Sequence, residues 1–110
     1  MDFQISQADD IAIASLTGRL TFQENADFRD FIRQLQQVTG TLVVDLVGLD
    51  FIDSAGLGML LVLREGRETT VRLCTGPGQV SRLLELARFS DFFAFDEPCF
   101  AVEGSCNAQL

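Results

Sequence analysis

The chemistry-bearing residues of this chain concentrate in one run, Asp50-Phe51-Ile52-Asp53-Ser54-Ala55-Gly56-Leu57-Gly58. A hydroxyl and two carboxylates fall within five positions there, directly ahead of the strongly apolar stretch Met59-Leu60-Leu61-Val62-Leu63. The first N–H groups of a helix have no partner inside it, and Asp or Ser oxygens accept from them. Asp53-Ser54 therefore reads as the N-terminal cap of a helix. Gly56 and Gly58 fall in its first turns, where each costs about 1 kcal/mol relative to alanine. A helix that takes this cost twice needs bare backbone, either for close packing or for close approach by another molecule.

Ser54 as a catalytic nucleophile would need a base beside it. The 110-residue chain contains no His, Lys, Tyr or Trp, and its eight basic residues are all Arg. Without His there is no Ser-His-Asp or Cys-His pair and no common zinc site. Without Lys there is no P-loop lysine, Schiff-base nucleophile or Ser-Lys dyad. A bare carboxylate pair of the kind glycosidases use stays open in principle, but is set aside in a domain this small. The expectation is a binding protein, not an enzyme, with no metal and no cofactor. A net charge of −8 repels phosphate backbones and anionic lipid, so nucleic acid and direct membrane binding are not expected. Cys74, Cys99 and Cys106 are odd in number and lack a CxxC spacing, and so read as reduced thiols.

The elements that must position Ser54 follow from hydrophobic periodicity. A content of 47% hydrophobic residues over this length supports one domain with a real core. No apolar run approaches the ~20 residues of a membrane span, and Met1-Asp2-Phe3-Gln4 lacks a signal-peptide layout, so a soluble, cytoplasmic protein is expected. Phe3 to Gln7 and Ile11 to Thr17 read as strands around the turn Asp9-Asp10, with a third strand no longer than Arg19 to Phe22. Thr21-Phe22-Gln23-Glu24 has capping-box spacing, with Asn25 as a rival helix start. Phe28, Phe31, Ile32, Leu35 and Val38 then form one helical stripe. Thr41 to Leu46 is a buried strand that runs into a turn carrying Gly48, Asp50 and Asp53, and the central helix spans Ser54 to about Glu68. Val71 to Cys74 is a strand, Pro77 starts a third helix, and Phe92 to Phe95 is a last strand. Strands alternating with helices imply mostly parallel pairing after the first hairpin. Periodicity leaves a small flavodoxin-like or receiver domain open, and Asp45 even mimics a receiver's phosphoacceptor, although the late lysine that receivers share is missing.

Asp53-Ser54-Ala55-Gly56-Leu57-Gly58, after an apolar strand and a Leu-Asp-Phe-Ile turn, resembles the signature of the STAS domain of bacterial anti-sigma factor antagonists. Gly18-Arg19-Leu20, Gly76-Pro77-Gly78-Gln79-Val80 and Leu83-Leu84-Glu85-Leu86-Ala87-Arg88-Phe89 fit the same pattern, so the resemblance covers roughly residues 3 to 96. It implies a single α/β domain over residues 1–98, a mixed β-sheet with helices packed mainly on one side, and a tail at 99–110. It implies that Ser54 is phosphorylated by a partner kinase. It also implies the partners: an anti-sigma factor with a serine kinase domain, bound by the unphosphorylated protein, and an opposing PP2C-type phosphatase. A different reading of the same resemblance is an accessory subunit of a membrane transporter that binds the nucleotide-binding subunit.

At 100° per residue, Ala55, Met59, Val62, Leu63 and Gly66 cluster on one side of the central helix, assigned to the sheet. Ser54, Leu57 and Leu61 fall on the opposite side with Arg64, Glu65 and Glu68. Asp53, Ser54, Gly56, Leu57, Gly58, Leu61 and Thr21 are the expected partner-binding residues. Two positions depart from the family pattern. Thr21 stands where an Asp is common in the loop facing the phosphosite, and Ala55 replaces a second hydroxyl residue, leaving Ser54 as the local acceptor.

Overall fold

The computed structural model describes residues 1–67 and 71–96. β1 (Asp2–Ala8) and β2 (Ile11–Leu20) form an antiparallel hairpin, its turn made by Asp9 at φ 56°. β2 is longer than periodicity suggests and absorbs the separate strand expected at Arg19. A 3-10 turn at Phe22–Glu24 leads into α1 (Asn25–Leu35), so the capping box and the Asn25 start are both used, in succession. β3 (Thr41–Asp45), β4 (Leu49–Ile52), α2 (Ser54–Glu65), β5 (Val71–Cys74), α3 (Gln79–Leu86) and β6 (Ala94–Asp96) complete the described chain.

The sheet order is β1-β2-β3-β5-β6, with every pairing beyond the first hairpin parallel. β4 lies off this path. The first half of β2 pairs with β3, from Ile11↔Thr41 to Ser15↔Asp45, and its end pairs with β4, up to Leu20↔Ile52. The break between β3 and β4 is a local device: Asp45 Oδ1 accepts from Val47 N at 2.9 Å, turning the chain, and Gly18 N then reaches Gly48 O at 3.3 Å. The segment expected as a turn at Leu49–Ile52 is thus a strand, because the tail of β2 offers it a partner that no local pattern reveals.

Alternation on β2 sends Ala12, Ala14, Leu16 and Leu20 into the core, and the helices pack mainly on that side of the sheet. Phe28, Phe31 and Leu35 of α1 meet them, with Phe31 packed 5.0 Å from the Phe3 ring and 5.4 Å from that of Phe28. Central β3 is buried on both faces at Leu42, Val43 and Val44, as parallel strands are.

Two further expectations are corrected. Pro77 lies outside α3, whose N-cap is Gly78. Phe92 and Phe93 close the 3-10 turn Phe89–Asp91 instead of starting a strand: both amides donate to Phe89 O at 2.9 Å, and the Phe89 and Phe93 rings stack. Cys74, at the end of β5, is fully buried in the core, as its position predicts. Glu68, Cys99, Cys106 and the tail at 99–110 lie outside the described residues.

Candidate functional site

β2 and β4 run parallel and end side by side at Leu20 and Ile52. From these two ends the chain departs into the Phe22–Glu24 turn and into α2, which brings Thr21 and Phe22 beside Asp53 and Ser54. Asp53 holds the junction with both carboxylate oxygens. Oδ1 accepts from Gly56 N at 2.8 Å and caps α2, while Oδ2 accepts from Phe22 N at 3.3 Å. Its own backbone N donates to Leu20 O at 3.3 Å.

The cap belongs to Asp53 alone. Ser54 is the first helical residue and is exposed, and its hydroxyl makes no hydrogen bond among the described residues. A hydroxyl spared from capping at a helix N-terminus is chemically available, and the free amides and dipole there favour an anion attached to it.

The two glycines of the motif serve different ends. A Cβ on Gly56 would sit 2.2 Å from Leu20 O and 2.7 Å from Ile52 Cγ1, so Gly56 is what lets α2 press onto the end of β2. A Cβ on Gly58 would meet nothing within 4 Å.

That contact also sets how α2 is rotated, and the rotation differs from the one expected. Gly56, Leu60 and Leu63 face inward; Ser54, Gly58, Val62 and Glu65 face solvent, with Val62 57% exposed. Val62 is therefore not on the sheet side, and Leu60, omitted from the expected set, is at its centre. Leu57 and Leu61 are partly buried against the core on one flank, and Met59 likewise on the other. Arg64, on the Leu57–Leu61 flank, donates from Nε to Phe92 O at 2.9 Å. Arg67 ties the end of α2 to the end of α1, donating to Leu35 O at 3.2 Å and Val38 O at 3.3 Å. The arginines near the outer end of α2 are thus structural groups.

Thr21 is turned inward, 9% exposed, in a complete capping box. Its backbone N and Oγ1 both donate to Glu24 Oε1, at 2.8 and 2.6 Å, and Oγ1 accepts from Gln23 N at 3.3 Å. These bonds, the hydroxyl one first, hold the Glu24 carboxyl below its ordinary pKa. The residue this loop presents outward is Phe22, 67% exposed.

Behind the site stands a residue that sequence reasoning missed as a functional part. Gln79, the first residue of α3, places its side-chain amide against β4 like a strand. Nε2 donates to Ile52 O at 2.9 Å, and Oε1 accepts from Ile52 N at 3.1 Å. It closes the edge of β4 one residue before Asp53. A glutamine at a helix start carries no signal of this role by itself.

The family model of the STAS domain matches residues 2–106. The chain belongs to the STAS family. A STAS-domain containing protein of Pseudomonas aeruginosa (strain UCBPP-PA14) is 32% identical over 81 residues, which cover 71% of this chain and 80% of that protein. Among solved structures, this STAS domain is similar to an anti-sigma factor antagonist from Mycobacterium paratuberculosis, with TM-score 0.78, 20% identity, and 87% and 85% of the two chains covered. It is also similar to the anti-sigma factor antagonist SpoIIAA in its unphosphorylated form, with TM-score 0.61, 20% identity, and 87% and 88% covered. At these identities the structural likeness speaks for the fold. Among the described residues, no helix is long and apolar enough to cross a membrane, and no three or more Cys, Asp or Glu side chains cluster as metal ligands would.

Proposed function

We propose that this STAS domain is an anti-sigma factor antagonist switched by phosphorylation of Ser54. Unphosphorylated, it binds an anti-sigma factor carrying a serine kinase domain and so releases the sigma factor or another output. A PP2C-type phosphatase resets it. The observation that carries this reading is the division of labour at the head of α2: Asp53 supplies the cap, and the exposed Ser54 hydroxyl is left over.

The chemistry follows from that position. The γ-phosphoryl group of ATP passes to Ser54 Oγ, the hydroxyl proton goes to a base on the kinase, and ADP leaves. The chain's own residues fix where the hydroxyl stands; the partner supplies the catalysis. A phosphate here adds about −1.5 to −2 charge at a helix N-terminus, where the fold tolerates it. In a partner interface the same charge must be desolvated beside Asp53. A penalty of about 4 kcal/mol weakens binding about a thousandfold, enough to dissolve a complex.

The test incubates wild type and Ser54→Ala with ATP and each purified serine-kinase anti-sigma domain of the source genome, read by intact mass. One phosphate on wild type and none on the alanine variant is the expected outcome. Uptake by Ser54→Ala, or no uptake by wild type with any of these kinases, overturns the assignment.

A further inference from the structure

We infer that Phe22, whose backbone is tied to Asp53, and Gly58 and Val62, on the outer row of α2 that starts at Ser54, form a docking surface for an apolar pocket with a basic rim on the kinase-bearing partner. This inference rests on the function proposed above and adds its anchoring residues.

Phe22 is the first support. A ring 67% exposed is usually carried on a mobile loop, but this one is not. Thr21 before it is locked to Glu24, and its own N–H is held by Asp53 Oδ2. An aromatic anchor fixed before binding loses little freedom on docking, the property that makes such residues dominate interfaces. Asp53 ties the backbone of Phe22 to the residue that precedes Ser54, so anchor and modification site share one carboxylate.

The outward stripe of α2 is the second support. Ser54, Gly58 and Val62 are spaced i, i+4 and i+8, and so lie in one row. Gly56 is explained by Leu20 O. Gly58 is explained by nothing inside the domain: its space is open, and its φ is not in the left-handed region. A helix-interior glycine without an internal reason leaves a flat notch between Ser54 and Val62 where another backbone can approach closely.

Charge selects the occupant. Glu24 and Asp27 follow Phe22, and Asp50 and Asp53 precede Ser54, on a chain of net charge −8. A second copy would bring −8 against −8, whereas a partner with a basic rim is drawn in. The apolar centre decides the effect of phosphate. Rim charges stay solvated and count for little individually, while a dianion on Ser54 would have to be stripped of water under a partner docked on Phe22 and the outer row of α2.

The probe is the recombinant serine-kinase anti-sigma domain, titrated calorimetrically at low and high salt. Phe22→Ala should bind at least tenfold more weakly and melt as wild type does. Gly58→Ala should melt higher, because alanine favours the helix, and yet bind several-fold more weakly. Stability up with affinity down is a combination that misfolding cannot produce. Added salt should weaken wild-type binding. Wild-type affinity in both variants overturns the inference, while loss of binding on Ser54 phosphorylation would still uphold the functional reading. No binding of wild type by any serine-kinase domain of the source genome overturns both. A dimer in sedimentation that Phe22→Ala abolishes would assign the surface to a second copy and also overturn the inference.

Discussion

Gln79 is the clearest place to test how the strand end ahead of α2 is held. Its amide makes two hydrogen bonds to the backbone of Ile52, at 2.9 and 3.1 Å, both partly buried. Each is worth about 0.5–1.5 kcal/mol net, and more where the stranded backbone group cannot reach water. Gln79→Ala should therefore cost about 1–3 kcal/mol, which lowers Tm by about 4–12 °C for a domain of this size. Gln79→Glu separates the two bonds. The carboxylate still accepts from Ile52 N but faces Ile52 O with no proton to donate. That opposition raises the folded-state pKa of the new carboxyl above its unfolded value of about 4.3. Between these two values the native state binds more protons than the unfolded chain, so stability falls as pH rises. The deficit of Gln79→Glu should be fully developed above the folded pKa and shrink on acidification from about pH 7 toward about pH 5. The chain has no Trp or Tyr, so the melts are followed by circular dichroism or calorimetry. A Gln79→Ala variant melting within about 1 °C of wild type, or a Gln79→Glu deficit independent of pH, would refute the surrogate-strand account.

Gly56→Ala places a methyl 2.2 Å from Leu20 O; chemical denaturation should show a loss of about 1–3 kcal/mol or more, since backbone on both sides must shift. Leu60→Ala empties a fully buried site and should cost about 2–5 kcal/mol, whereas Val62→Ala, on the open face, should stay within about 0.5 kcal/mol; the reverse ranking in thermal melts would mean that α2 is rotated otherwise. The Glu24 carboxyl, held below its ordinary pKa by Thr21, supports the fold above its unfolded pKa and loses that support as pH falls through the lowered value. Carbon-detected NMR titration should find it low in wild type and returned toward the ordinary carboxylate range in Thr21→Val.

Local chemistry made much of this protein legible from residues alone. Leu42 to Leu46 is a short, mostly apolar and β-branched run that reads as a buried strand, and Asp53-Ser54 ahead of a long apolar stretch reads as a helix start, because caps are made within a few residues. The Thr21–Glu24 box and the Phe28–Phe31–Leu35 stripe are local in the same sense. The missing His and Lys narrowed the chemistry before any fold was in view. Other features depended on neighbours distant in sequence. Leu49-Asp50-Phe51-Ile52, flanked by turn residues, becomes a strand because the tail of β2 is unpaired beside it. The helix after Ser54 is apolar nearly all round, from Leu57 through Leu63, so its periodicity cannot set its rotation. That is settled where Gly56 touches the Leu20 carbonyl, a contact 36 residues apart in the chain. Only the tertiary structure turned Leu60 inward and Val62 outward, gave the cap to Asp53 alone, and brought Phe22 and Gln79 to opposite sides of one strand end. Side-chain type and spacing specify which elements form, but the face each element shows is decided by close approaches between backbones that no short window of sequence contains.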